Sequence, residues 1–152
     1  MAALHCVARE GSSLTLQWRG GPEGLEPVRL AVLQHLTDSA VDRSAIYRCE
    51  LVLEEIVLNI IRHVQAGPEG TTLELTVTVE AGRVELCFTD PGPPFDPTRH
   101  PSPPLPGRLE EAQPGGLGIH LVRRMTQGLT YTRDGDRNCL RVQVARTPAA
   151  AV

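Results

Sequence analysis

ELVLEEIVLNIIRHV, residues 50–64, is the stretch on which the reading of this chain turns. Its spacing puts Glu55, Asn59 and His63 at successive i, i+4 steps on one helical face, with Arg62 beside them. Leu53, Ile56, Val57, Ile60, Ile61 and Val64 fill a broad apolar arc next to that stripe, so the helix is expected to be mostly buried. A carboxylate and an amide projecting from such a helix need a partner or a cleft. Glu54 lies about 100° further round, on the far edge of the arc, and reads as a solvated or salt-bridged carboxylate. Two glycine-bearing segments follow, DPGPPFD at residues 90–96 and GGLG at residues 115–118. Together the three read as a nucleotide site.

Composition narrows the alternatives. The 152 residues suit one domain, burying roughly 70% of the unfolded surface. A net charge of −3 and a pI near 5.9 give no field for nucleic acid and no patch for an anionic membrane, so direct binding to either is not expected. All 15 Lys-plus-Arg residues are arginine. Without lysine there is neither a P-loop, which needs its GK[ST] amine, nor a Schiff-base enzyme. Cys6, Cys49, Cys87 and Cys139 have no metal-ligand spacing and read as reduced thiols. No signal-peptide pattern and no run of about 18 apolar residues is present, so a cytoplasmic protein is expected.

Along the chain, SLTLQW (residues 13–18) alternates as a short strand, and apolar spacing predicts a first helix over residues 28–37. Asp42 and Ser44 are both candidate caps for the long second helix. Residues 72–79 and 84–90 alternate strictly on either side of Ala81-Gly82, the pattern of a hairpin with one buried face. Nine of the 13 prolines crowd into residues 91–114, which excludes a helix or central strand there and predicts either a functional lid or a disordered segment. A third helix is predicted over residues 115–127, then strands over 129–133 and 139–144 joined by a DGDRN turn. The expected architecture is a two-layer α+β sandwich, with about five strands in a mixed sheet and three helices on one face. A single domain over residues 1–146 and a frayed tail over 147–152 complete the expectation.

LEEIVLNIIRH (residues 53–63), DPGPPFD and GGLGIHLVRRM (residues 115–125) resemble, in order, the N, G1 and G2 boxes of the gyrase, chaperone, histidine-kinase and mismatch-repair ATPases, the Bergerat fold. Within that superfamily the likeness is greatest to bacterial anti-sigma-factor serine kinases, and it runs over about residues 28–144. The resemblance implies ATP and Mg²⁺ as cofactors, with the Asn59 amide oxygen on the metal. It implies that Glu55 is the general base, that Asp90 accepts from the adenine amine, and that Gly92 lets the backbone approach the ring. His63 would contact the nucleotide, while Gly115, Gly116, Leu117 and Gly118 would lie along the phosphates. Phe95 would pack the base of the lid, and His120, Val122 and Met125 would be helix packing. Related kinases often carry a basic lid residue near the G2 glycines; here Gln113 and Pro114 precede Gly115, and the nearest arginine is Arg108. The partners implied are a sigma factor and an anti-anti-sigma protein of the STAS type, with a homodimer as the working form. A non-catalytic, ATP-gated binding module is the alternative.

Overall fold

A computed structural model gives the fold, and it describes residues 4–19, 21–64, 70–99 and 118–148. Six strands form one sheet: β1 (Leu4–Glu10), β2 (Ser13–Arg19), β3 (Thr72–Val79), β4 (Arg83–Asp90), β5 (Gly128–Asp134) and β6 (Arg137–Ala145). Among the described residues, three α-helices accompany them: α1 (Leu25–Asp38), α2 (Arg43–His63) and α3 (Gly118–Met125). The spatial order of the strands is β1-β2-β3-β4-β6-β5.

Alternation makes the layers. Leu14, Leu16 and Trp18 of β2 sit opposite Val77, Leu75 and Leu73 of β3. β4 continues the buried face with Val84, Leu86 and Phe88, and β6 with Val144, Val142 and Leu140. Opposed residues in an antiparallel pair share a face, so these rows make one apolar surface. α2 packs across β4 and β6, and α1 lies against β2. Val28, Val32 and Leu36 of α1 and Val52, Leu53, Ile56 and Val57 of α2 complete the core. The other sheet face is polar, with hydroxyl pairs at Ser13–Thr78 (2.9 Å) and Thr15–Thr76 (3.0 Å).

Asp42 is the cap of α2: its Oδ1 accepts from the Ala45 amide at 3.0 Å, and its Oδ2 from the Thr147 amide at 2.8 Å. Before it, α1 closes with Ala40 in the left-handed region (φ 56) and the Val41 amide bonded back to the Leu36 carbonyl, the geometry of a Schellman turn.

The α+β sandwich is as read from sequence, and the sheet differs from the expectation in two details. β1 was not anticipated. An edge strand exposed on both faces has no alternation to betray it, and a register shift between Cys6 and Ala8 leaves Val7 outside the ladder. The five neighbouring pairs are all antiparallel, where a mixed sheet was expected. β5 does run parallel to β4, but β6 lies between them. Most of the expected lid, residues 100–114, lies outside the described residues, as do Arg108, Gly115, Gly116, Leu117 and the tail from residue 149.

Candidate nucleotide site

The last turns of α2, the end of β4, the start of β6 and the loop after Asp90 converge on one cleft. Asn59, Ile60, His63 and Val64 form its helical wall; Asp90, Asn138 and Leu140 form its floor on the sheet; Pro93, Phe95 and Tyr131 close its rim.

Asp90 is the final residue of β4 on the buried face and is paired in register with Asn138 of β6. Its Oδ1 accepts from the Gly92 amide at 2.9 Å and from Asn138 Nδ2 at 3.1 Å. Among the described residues nothing donates to Oδ2, which leaves that oxygen able to accept from a ligand in the cleft. Gly92 is dictated by space. A Cβ there would lie 2.8 Å from Asp90 Oδ1 and 2.8 Å from Val64 Cγ2, closer than any carbon tolerates.

Asn138 holds this end together. Nδ2 donates to the Pro93 carbonyl at 3.0 Å as well as to Asp90, while Oδ1 accepts from Tyr131 Oη, from Arg133 Nη1 at 3.1 Å and from the Phe95 amide at 3.4 Å. Arg133 Nη1 also reaches the Gly92 carbonyl at 2.7 Å. The loop from Gly92 to Phe95 is therefore laced to β5 and β6. Phe95 stacks on His63, with ring centroids 4.0 Å apart and planes 19° from parallel.

Asn59 is buried to 9% exposure, lines the cleft, and makes no hydrogen bond to any described residue. Its orphaned amide suits a hard cation brought in by a ligand, because Mg²⁺ accepts one protein oxygen and keeps waters for the rest. Among the described residues no three acidic, His or Cys side chains gather as a self-sufficient metal site. Glu55, one turn earlier, is half-buried and likewise has no hydrogen bond or ion pair among the described residues. It faces α3: a Cβ on Gly118 would fall 2.2 Å from Glu55 Oε2.

The structure thus brings Asn59, His63 and Asp90 to one cleft, with Gly92 behind Asp90 and Glu55 at the start of α3. Arg62 is exposed and does not line the cleft, and Glu54 is exposed as expected, in a separate groove with Leu25, Arg29 and Glu50. Sequence reasoning missed Asn138, Tyr131 and Arg133. Asn138 sits inside the DGDRN stretch, where its residue type matches a turn; only the long-range β4–β6 register makes it the partner of Asp90. It also missed Arg123 of α3, whose Nη2 donates to the carbonyls of Pro97 (2.8 Å) and Thr98 (2.9 Å), fastening the far end of the glycine–proline loop.

A family profile for the histidine kinase-like ATPase domain matches residues 20–144, most of the chain. The chain belongs to this family. As an ATPase domain it binds ATP, and the matched segment contains α1, α2, the cleft and the four inner and distal strands from β3 to β6. The serine/threonine-protein kinase BtrW of Bordetella bronchiseptica is 36% identical over 83 residues, 55% of this chain. The aligned part is 58% of BtrW, so the match spans little more than half of that relative. Among solved structures, the histidine kinase domain of the blue-light activated histidine kinase EL346 from Erythrobacter litoralis aligns with a TM-score of 0.45 at 18% identity, covering 66% of this chain and 44% of that one. The Acinetobacter baumannii histidine kinase AdeS aligns at 0.46 and 17% identity, covering 85% and 66%. Among the described residues of this ATPase domain, no helix is long and apolar enough to cross a membrane.

Proposed function

We propose that this ATPase domain is a protein serine kinase of the anti-sigma type: it transfers the γ-phosphoryl group of ATP to a serine of an anti-anti-sigma protein of the STAS type, and it sequesters a sigma factor. The observation that carries the reading is the pair Glu55 and Asn59. They stand one helical turn apart on α2, and neither side chain is spoken for by another described residue. A carboxylate without a partner on a helix wall is suited to taking a proton, and an amide without a partner to coordinating a cation. The name of BtrW, a serine/threonine-protein kinase, supports the same acceptor chemistry.

Each residue has a part. Asp90 Oδ2 accepts from the adenine N6 amine and disfavours guanine, which presents a carbonyl at that place. Gly92 and the His63–Phe95 stack shape the slot for the base. Asn59 would hold Mg²⁺, which supplies neutralisation of the triphosphate charge when bound. Glu55 accepts the proton of the substrate serine as its Oγ attacks the γ-phosphorus; the new O–P bond forms as the bond to ADP breaks. By the resemblance, the backbone of Gly115, Gly116 and Leu117 would face the triphosphate.

The test is phosphoryl transfer from γ-labelled ATP to a small anti-anti-sigma protein, with Glu55→Gln as control. Label on a serine, lost in the control, is the expected result; nucleotide binding without label transfer refutes the kinase reading. A second reading, an ATP-gated binding module without catalysis, is favoured by one feature, the lack of a basic residue immediately before Gly115. It predicts ATP-dependent capture of the sigma factor with the phosphate left intact.

A further inference from the structure

We infer that Gly118 is a positioning residue for the general base, and that its missing side chain makes room for Glu55. This rests on the kinase reading above and assigns a new role within it. A glycine at the start of a helix in a nucleotide site is ordinarily explained by phosphate, through close approach of the ligand to free backbone amides. The geometry here points to the protein's own carboxylate. An added Cβ would lie 2.2 Å from Glu55 Oε2, 3.2 Å from its Cδ and 3.7 Å from its Cβ, and all three nearest atoms belong to that one side chain. The Gly118 backbone does not have the positive φ that would demand glycine for conformational reasons. Space alone selects it, and the occupant of that space is Glu55.

The contact also explains how a carboxylate with no hydrogen-bond partner among the described residues keeps a defined place. Glu55 rises from α2 and its tip is seated on the Cα of the first residue of α3, so two helices determine its position. Those helices are packed together. Because the obstructing atom is the far end of a flexible side chain, a methyl at residue 118 leaves the fold intact and pushes the carboxylate aside. A base displaced by about 1 Å loses on the order of 100-fold in rate.

The experiment is a kinetic cycle of Gly118→Ala, Glu55→Gln and the double variant, with ATP affinity measured alongside. Gly118→Ala is expected to lower the transfer rate at saturating ATP about 100-fold while the ATP Kd moves less than about 3-fold. In the double variant the Ala substitution is expected to add almost nothing, since the base is already gone. An ATP Kd weakened more than about 10-fold with the saturating rate unchanged would return Gly118 to a phosphate role and overturn the inference, as would losses that simply multiply. If the wild type transfers no phosphate, the kinase reading fails by itself, and the contact is read without catalysis. The ¹³C carboxyl resonance of Glu55, assigned with Glu55→Gln, is expected to shift in nucleotide-free Gly118→Ala while that of Glu54 stays. An unmoved Glu55 resonance overturns the inference.

Discussion

Replacing Asn138 with leucine tests whether the sheet, rather than the loop, aims Asp90. The two side chains share the same branching and number of heavy atoms, so the substitution removes hydrogen bonds while keeping the shape, with the bulkier methyls adding some steric cost. Asp90 Oδ1 loses one of its two donors, the Pro93 carbonyl loses Nδ2, and Tyr131 Oη and the Phe95 amide lose their acceptor. The bond to Asp90 and a long one (3.5 Å) to the Gly92 carbonyl are buried, and the others are part-buried beside the cleft, where water can replace part of what is lost. Charging about 1–3 kcal/mol to the buried loss and less to the rest gives a destabilisation of about 3 kcal/mol. For a domain of this size that corresponds to a melting temperature lower by about 6–12 °C. The second effect is on ligand. Asp90 Oδ2 would contribute a charge-assisted hydrogen bond worth about 1.5–3 kcal/mol, and misaiming it is expected to weaken ATP binding about 10- to 100-fold. The preference for ATP over GTP is expected to fall with it. Thermal melts with and without nucleotide, and titration calorimetry with ATP and GTP, read both effects. A variant that melts within about 1 °C of wild type and keeps its nucleotide preference would refute the reasoning.

Four other outcomes follow from single contacts. Asp90→Asn turns part of the acceptor into a donor, so the shift that saturating ATP produces in a melt, about 2.7 kcal/mol at 100 times Kd for wild type, is expected to disappear. Asp42→Ala removes the cap of α2 and is expected to cost about 1 kcal/mol at neutral pH. The amides of Ala45 and then Thr147 hold the Asp42 carboxyl below its usual value of 3.8, so its contribution is present above that value and is lost as pH falls through the lower folded value; the gap between wild type and Asp42→Ala in acid melts is expected to close below about pH 3.8. Ala40→Gly relieves a non-glycine residue at φ 56 and is expected to raise stability by up to about 1 kcal/mol in denaturant titrations; a lower midpoint would contradict it. Burial pushes the Cys49 thiol up to about 12, so an aromatic disulfide reagent at pH 8 is expected to label exposed Cys6 while Cys49 stays unlabelled until the protein unfolds, as peptide mass mapping would show.

What could be read from sequence was local. The i, i+4 stripe on α2, the strict alternation of β3 and β4, and the glycine that follows a strand-ending aspartate are all periodic or adjacent signals. They led to the right helix, the right hairpin and, of the residues that line the cleft, Asn59, His63, Asp90 and Phe95. What could not be read was either unpatterned or long-range. β1 carries no alternation because neither of its faces is covered, and the position of β6 beside β4 is a pairing across some 50 residues. Asn138 and Arg133 were hidden by that second kind of distance, and Arg123 looked like one more arginine on an amphipathic helix. The contact of Glu55 with Gly118 joins two motifs that the sequence shows separately and only packing brings together.

The pairing of Asp90 with Asn138 has a consequence for how preparations of this protein can be judged. Sliding β6 by a single position against β4 would set Arg137 or Cys139 across from the aspartate and invert every side chain of the strand. The cleft would then lack its amide brace at the moment the apolar face turned outward. If Asp90 reads the base as proposed, the cleft needs the same register as the sheet, and after refolding the fraction of molecules that captures ATP is expected to count those whose strands have met in step.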